Sequence, residues 1–239
     1  MRTIKLNHAL RRAVCMAFSV GIATTLVPFP GQLAMAADPI DTMVTSYQPV
    51  LTETIDESGF KHPGVGFTKA QLENMRAQVL AKKEPWYTHF NMMLQSANAS
   101  RTRGISNINS SDPTKPRIFG IASGGDEGIF KTDAQTAYTQ AILYYVTGDP
   151  VYRAKVMQII RLWEQMDPSR YAYYTDSHIH TGIPLQRMTG AAEIIRYTST
   201  QDPALVWTDE DTQKFSANLI VPVIETLDIS TTYQCWSGK

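Results

Sequence analysis

Cysteine is almost absent from this chain, and its scarcity limits how the protein can be stabilised. Only Cys15 and Cys235 occur among the 239 residues. We expect Cys15 to be removed with an N-terminal leader, which leaves Cys235 without an internal partner. The folded protein therefore has to rely on an apolar core, which a chain of this length with 43% hydrophobic residues can supply.

Long apolar runs are also scarce. The apolar stretch at residues 13–29 is short and is interrupted by Pro28, so it is not typical of a membrane-spanning helix. Four basic residues precede it, namely Arg2, Lys5, Arg11 and Arg12. The triplet Ala34-Met35-Ala36 follows it and has the small-x-small pattern of a cleavage site. We predict a signal peptide at residues 1–36, a periplasmic or secreted protein, and no attachment to the membrane after cleavage.

An excess of positive charge is missing as well. The chain has 22 Lys+Arg and 22 Asp+Glu, and the predicted leader holds four of the basic residues and none of the acidic ones. The remaining 18 basic and 22 acidic residues give a net charge of −4. A mildly acidic protein is not expected to bind nucleic acid through its overall charge. An anionic ligand would have to be held locally by a few Arg, Lys or His side chains.

Helical periodicity dominates the chain beyond an irregular arm predicted at residues 37–66. Thr68 and Gln71 have the spacing of a capping box, which predicts a helix that continues to about Lys82. Pro85 is well placed to begin a second helix. No segment of the chain predicts a strand convincingly.

Residues 101–130 interrupt this periodicity with a sequence rich in Ser, Asn, Gly, Pro and Asp. A connection of this length is usually functional or disordered. Its last part, Gly124-Gly125-Asp126-Glu127-Gly128, lacks the Gly-Lys-Ser/Thr ending of a phosphate-binding loop and predicts a flexible turn. Thr132 and Gln135 then repeat the capping-box spacing and predict the next helix start.

A helix hairpin is the best-defined unit of the sequence. Its first helix ends at Gly148, a typical C-terminal stop, and Asp149-Pro150 begins the returning helix at once. So short a connection forces the two helices to run antiparallel. Thr208 is expected to cap a later helix, which Pro222 bends. With six helices in three pairs, we predict an all-α domain at residues 67–239, and paired helices of this kind suggest a helical repeat or a toroid.

The stretch at residues 171–197 is the strongest functional candidate. It begins as a polar, aromatic segment and continues as an amphipathic helix that Pro184 is expected to open. If the first part is extended, Asp176, His178 and His180 lie on one side, where they suit proton transfer or contact with a carboxylate. The same residues could instead bind a metal ion or hydrogen-bond the loop to its neighbours.

Tyrosines and arginines are the remaining candidates. Tyr173 and Tyr174 could stack on a sugar ring or donate a proton, or they could cover the core. Arg187 could reach a carboxylate from the following helix, and Arg101 could line a groove from the long polar loop. A solvated surface position is an equal alternative for Arg187 and the favoured one for Arg101.

Three groups of residues occur in a characteristic order. The first is His62-Pro63-Gly64, then Phe67-Thr68-x-x-Gln71-Leu72 and Glu84-Pro85-Trp86. The second is Asp133-Ala134-x-x-Ala137-Tyr138, then Thr147-Gly148-Asp149-Pro150-x-Tyr152 and Leu162-Trp163. The third is Gly190-Ala191-Ala192-Glu193-Ile194-Ile195-Arg196, then Trp207-Thr208-Asp209-Glu210-Asp211. In this order and spacing, the chain resembles the alginate lyase family of polysaccharide lyases.

The resemblance implies an incomplete (α/α) toroid built from antiparallel helix hairpins. It also implies cleavage of an acidic, uronate-containing polysaccharide such as alginate by β-elimination, for which no metal is obligatory; we predict no cofactor and no metal site. The family's Asn/His motif and a later Tyr belong to helix pairs beyond the region matched here. We therefore expect the N-terminal portion of such a lyase, whose own activity is open. The alternative is a non-catalytic helical module that binds sugar or acts as a scaffold.

Candidate roles follow from what β-elimination on a uronate needs. A base removes the C5 proton, an acid protonates the departing O4, and a donor neutralises the C6 carboxylate. We assign His178 and His180 as candidate catalytic residues. The candidate substrate contacts are Tyr173, Tyr174, Asp176, Arg187 and Arg101.

Overall fold

Helices form most of the described backbone, which confirms the mainly α-helical fold predicted from the periodicity. The structure is a computed structural model and describes residues 38–174 and 176–234. The predicted signal peptide and Cys235 lie outside these ranges. The helices are α1 (Pro39–Met43), α2 (Lys69–Leu80), α3 (Trp86–Leu94), α4 (Gly124–Thr147), α5 (Pro150–Trp163), α6 (Ser177–Arg196), α7 (Asp209–Phe215) and α8 (Val221–Gln234). Within the described ranges, no helix combines the length and the apolar composition needed to cross a membrane.

The N-terminal arm is more ordered than its lack of periodicity predicts. It contains α1 and a small antiparallel hairpin of two strands, β1 (Thr54–Ile55) and β2 (Lys61–His62). The arm is fastened to the end of α6, where the Thr52 amide donates to the Tyr197 carbonyl over 2.9 Å. Strands this short are held by main-chain bonds, which leave no alternating pattern in the side chains.

α2 begins where the capping box predicts. The Thr68 amide donates to Oε1 of Gln71 over 2.8 Å, and the Gln71 amide donates back to Oγ1 of Thr68 over 3.3 Å. Leu72 and Val79 are the buried residues of this helix. α3 begins directly after Pro85, as predicted.

α4 begins at Gly124, eight residues before the predicted start at Thr132. The glycine-rich segment predicted as a flexible turn is therefore the first turn of this helix. Asp126 caps it, because its Oδ2 accepts a hydrogen bond from the Ser123 amide over 3.1 Å, and a carboxylate there also suits the helix dipole. The predicted start is wrong because the Thr132 hydroxyl donates to the Gly128 carbonyl over 2.8 Å, inside the helix.

The hairpin of α4 and α5 is confirmed. Gly148 ends α4 in the left-handed conformation with φ of 73°, which a residue without Cβ adopts without strain. Asp149 then caps α5 by accepting the Val151 amide over 3.0 Å. Trp163, at the end of α5, packs on Phe130 near the start of α4, with ring centroids 4.7 Å apart. The two helices are therefore antiparallel.

The long connection before α4 is anchored by a buried carboxylate. Asp133 of α4 accepts hydrogen bonds from the Ser106 amide at 2.6 Å, the Asn107 amide at 2.9 Å and the Trp163 indole at 3.0 Å. Burial raises the pKa of Asp133 above its ordinary value, although these donors favour the carboxylate. The segment predicted to be functional or disordered is thus tied to the core near its start.

α6 also begins earlier than predicted, at Ser177 instead of Pro184. Asp176 precedes the helix in the left-handed conformation with φ of 64°, and the Thr181 hydroxyl donates to the Ser177 carbonyl over 2.7 Å. Pro184 lies inside the helix, where its missing N–H leaves the His180 carbonyl without the usual helical donor. The histidines are therefore helical residues and not part of an extended loop.

α4 and α6 lie side by side and run in the same direction. Glu127 near the start of α4 is paired with His180 near the start of α6, and Tyr138 further along α4 lies against Gly190 of α6. A Cβ at Gly190 would come within 3.1 Å of the Tyr138 ring, so the helices approach closely here because this residue is glycine.

The chain returns along α6 through α7, a π-helical turn (Ser216–Ile220) and α8. Ala192 of α6 and residues of the π-helical turn line one small cavity, while Leu227 of α8 packs on Gly182 near the start of α6. The returning segment is therefore antiparallel to α6. The Asp211 amide donates to Oγ1 of Thr208 over 3.1 Å, which confirms the predicted cap of α7.

Candidate functional site

Three side chains meet where α4 and α6 begin. Nδ1 of His180 lies 4.0 Å from Oε2 of Glu127. The Tyr174 and His180 rings lie 5.8 Å apart between centroids, with their planes inclined by 34°. All three side chains are half-buried. A carboxylate, an imidazole and a phenol are thus assembled from two parallel helices and the segment that precedes α6.

Unsatisfied polar atoms are concentrated at the same place. Of the described residues, nine have a buried side-chain nitrogen or oxygen without a hydrogen bond, and four of the nine are Tyr174, Ser177, His178 and His180. Buried polar atoms normally have partners, because an unpaired one costs about 1–3 kcal/mol. Ser177 is fully buried, so its hydroxyl does not face open solvent. Such a concentration is typical of a site that receives a polar ligand.

Burial and nearby negative charges favour the protonated form of Tyr174. Burial raises the pKa of Tyr174 to about 12, and the carboxylates of Glu127 and Asp126 add to this effect. Lys131, one turn after Glu127, places Nζ 3.6 Å from Oε1 of Glu127 and offsets part of the negative charge. At neutral pH the Tyr174 hydroxyl is therefore a proton donor beside the imidazole of His180.

His178 does not join this cluster. Helical residues two positions apart point in nearly opposite directions. His178 lies one turn before Gly182 on the same side of α6, and Gly182 lies near Leu227 of α8, whereas His180 lies near Glu127 of α4. The prediction that Asp176, His178 and His180 share one side is wrong because the segment is helical and not extended.

Arg187 lies on the same side of α6 as His180, about two turns further along. Burial raises the pKa of Tyr138 on α4, and the positive charge of Arg187 opposes that rise, since the guanidinium is near the phenol. A row of polar side chains therefore follows the boundary between the two helices. We call this row the α4–α6 seam, which consists of Glu127, Lys131, Tyr138, His180 and Arg187.

Arg101 lies at the other end of α4. Its guanidinium is paired with Asp149, the cap of α5, and stands over the Tyr152 ring at 5.9 Å from the centroid. About 30 Å of helix separates this end of α4 from Glu127. The structure therefore does not bring Arg101 to the seam.

The tyrosines in the segment before α6 have different surroundings. Tyr171 is structural: its hydroxyl donates to the Asn218 carbonyl over 2.8 Å, and burial raises its pKa. Pro222, four residues after Asn218, has no N–H for that carbonyl, so Tyr171 supplies the missing donor. This bond explains how the chain accommodates the disturbance predicted at Pro222. Tyr173 is half-buried next to Tyr174 in the chain.

Glu127, Lys131 and Tyr138 are seam residues that the sequence did not predict as part of a site. Residues 124–128 were predicted as a turn, which gives Glu127 no fixed direction. The capping-box spacing of Ser123 and Asp126 was the available signal. It predicts a helix that begins at residue 124 and continues through Tyr138, which places Glu127 on the same side of that helix as Tyr138.

A second carboxylate–histidine pair lies near the other end of α6 and has a structural role. Nδ1 of His62 lies 2.9 Å from Oε2 of Glu193, and the same oxygen accepts the Gly64 amide over 2.8 Å. The His62 ring also stacks on Tyr197 at 5.2 Å between centroids. Unlike the cluster at His180, this pair has hydrogen-bond partners, and it fastens the N-terminal arm to α6.

The described residues contain no group of three or more His, Cys, Asp or Glu side chains placed to hold a metal ion. No protein-family model matches the chain, and no curated protein matches it either. Its function therefore has to be inferred from the chemistry of the seam.

Proposed function

We propose that this protein is an exported polysaccharide lyase that cleaves a uronate-containing polysaccharide such as alginate by β-elimination. The observation that carries the proposal is the meeting of His180 and Tyr174 in a place rich in unsatisfied polar atoms. Arg187 extends the same seam with a positive charge. His180 and Tyr174 correspond to the base and the acid that the reaction needs, and Arg187 binds the carboxylate of a neighbouring uronate.

The roles follow from the protonation states. Nε2 of His180 takes the proton from C5, the C–H electrons form the C4–C5 double bond, and the C4–O4 bond breaks. Tyr174 gives its hydroxyl proton to O4, and proton exchange with solvent then restores both side chains. The Tyr174 hydroxyl carries its proton at neutral pH and can therefore supply it to O4. His178, on the opposite side of α6 from His180, has no part in this step.

Arg187 is the proposed carboxylate contact. It lies about 10 Å from His180 along α6, so it suits a uronate that neighbours the reacting sugar in the polymer. A guanidinium binds a carboxylate with two parallel hydrogen bonds. Lys131 on the facing helix adds a second positive charge to the seam, so an anionic polymer meets cations on both sides.

We further propose that the helices belong to an incomplete (α/α) toroid. The alternating directions of α4, α5, α6 and α8 support this arrangement, since parallel helices of successive hairpins form one layer and the returning helices form the other. α4 and α6 would then share a layer and line the sugar-binding groove. Signal-peptide export completes the proposal and would give the protein access to extracellular polymers.

The test is production of the unsaturated sugar from alginate and from glucuronan, followed by its ultraviolet absorbance. We expect His180→Ala to reduce the rate at least ~100-fold, as for loss of a general base. His89→Ala is the matched control, because His89 is an exposed histidine of α3 outside the seam. Absence of product from every polyuronate, or equal rates for the two variants, would contradict the lyase proposal.

A sugar-binding module without turnover is the second candidate. It is favoured by the spacing of the cluster, in which His180 makes no hydrogen bond to Tyr174 or Glu127. Calorimetry with uronate oligomers separates the two functions. Binding without any product, weakened by Arg187→Ala, would support the module. Binding that persists after His178→Ala and His180→Ala would assign both histidines a structural role.

A further inference from the structure

We propose that Glu127 is a positioning residue that holds His180 through Nδ1 and thereby directs Nε2 to the substrate. The inference rests on the proposed lyase function, in which His180 is the base. Glu127 would not touch the sugar. Its effect would be on which ring nitrogen carries the proton and on the direction in which the ring faces.

The geometry supports one partner for Nδ1. This atom is buried and makes no hydrogen bond, and Oε2 of Glu127 is 4.0 Å away. That distance is about 1 Å too long for a hydrogen bond, so the positioning role requires the two side chains to come closer when substrate binds. Catalytic hydrogen bonds are often long without substrate and shorten when it binds. The close packing of α4 against α6 keeps the two residues opposite each other.

Neighbouring groups leave Glu127 free for this role. The other carboxylate of the first turn, Asp126, is already engaged, because its Oδ2 accepts the amides of Ala122 and Ser123. Lys131 contacts Oε1 of Glu127, so Oε2 remains for His180. The lysine also reduces the repulsion that a bare carboxylate would exert on an anionic polymer.

The positioning has a chemical consequence. In a neutral imidazole only one nitrogen carries the proton, and the partner of the other nitrogen decides which one. With Nδ1–H donated to Glu127, Nε2 is the lone-pair nitrogen and can accept the proton from C5. The ring then becomes an imidazolium, which the carboxylate of Glu127 stabilises, as in carboxylate–histidine pairs of other enzymes.

The direct test is the ¹⁵N NMR tautomer of His180 in the whole chain at about pH 9, above the usual titration range of histidine. We expect the Nδ1–H form in the wild type and loss of that preference in Glu127→Ala. Glu127→Gln keeps an oxygen that accepts Nδ1–H, so it should retain much of the preference. Glu53→Ala is the control, since Glu53 is an exposed residue paired with Lys61 in the arm.

The two neutral variants also separate positioning from simple charge effects. Both remove the same negative charge from the first turn of α4, so a general electrostatic role would change them equally. On polyuronate, we expect Glu127→Ala to lower kcat on the order of 100-fold with little change in KM, and Glu127→Gln to lose less. If Glu127→Ala does not fold, as judged by circular dichroism, Glu127→Gln against Glu127→Asp provides the comparison.

Each outcome decides one proposal. A His180 tautomer that is the same in the wild type and in Glu127→Ala, or equal effects of Ala and Gln at position 127, would overturn the positioning role. A tautomer that depends on Glu127 in a protein without activity on any polyuronate would overturn the lyase function and leave the Glu127–His180 coupling intact.

Discussion

The buried carboxyl of Glu164, at the end of α5, should make this protein more stable in mild acid than in base. Burial raises the pKa of Glu164 from 4.5 to about 7, and the negative charge of Asp211 adds to the rise. The positive charge of Arg161 lowers the Glu164 pKa but does not cancel this rise. Its guanidinium instead donates hydrogen bonds to both carboxylate oxygens of Asp211, at 3.0 and 3.3 Å. Oε2 of Glu164 is buried and has no hydrogen-bond partner.

The direction in which stability changes with pH follows from proton binding. Between pH 4.5 and about 7, the folded protein binds the Glu164 proton more tightly than the unfolded chain does. The stabilisation is complete below the unfolded pKa and is lost as pH rises through the folded pKa. At ~1.4 kcal/mol for each pKa unit, the free energy of unfolding should fall by up to ~3 kcal/mol over this interval.

Glu164→Gln removes the titration and retains the shape. Urea unfolding at several pH values should show nearly equal stability of the two proteins near pH 4.5, and a variant more stable by up to ~3 kcal/mol at pH 8. Glu53→Gln, an exposed carboxylate, should give a difference near zero at both pH values. A Glu164→Gln difference that does not change with pH would show that Glu164 is ionised normally in the folded protein.

Two further predictions concern the scaffold. Asp133→Ala leaves two backbone amides and the Trp163 indole without their acceptor. We therefore expect the free energy of unfolding, measured with urea, to fall by ~3 kcal/mol or more. Asp112→Ala, at an exposed position of the connection before α4, is the control and should cost under ~1 kcal/mol. Gly148→Ala should cost at least ~1 kcal/mol, because φ is 73° and a Cβ would collide with the Tyr47 carbonyl oxygen. Its control is Gly104→Ala, where a Cβ has open space. Equal melting temperatures within either pair would contradict these assignments.

Much of the helical scaffold could be predicted from the sequence. The capping box of Thr68, the Gly148 stop and the Thr208 cap act within four or five residues, so their effects appear in the local sequence. The hairpin of α4 and α5 follows from the same short-range signals. These features rest on backbone hydrogen bonds that each segment satisfies by itself.

The seam could be predicted only in part. His180, Tyr174 and Arg187 are candidates from the sequence because they are polar residues in or just after an unusual segment. Their arrangement depends on where α4 and α6 begin, and both helices begin earlier in the chain than the sequence predicts. Pro184 predicts a first helical residue because proline is common there, although packing of α6 on α4 tolerates it inside the helix. Glu127 reaches His180 only through contact between helices far apart in the chain, which a local pattern does not contain.

Pro184 also has a consequence for how the site moves. It interrupts the hydrogen-bond ladder between the first turns of α6, which carry both histidines, and the buried remainder of the helix. The initial turns can therefore unwind in small opening events that leave the core closed. Amide hydrogen exchange should be faster at residues 178–183 than at 188–195, and a bound oligosaccharide that contacts His180 should slow it selectively.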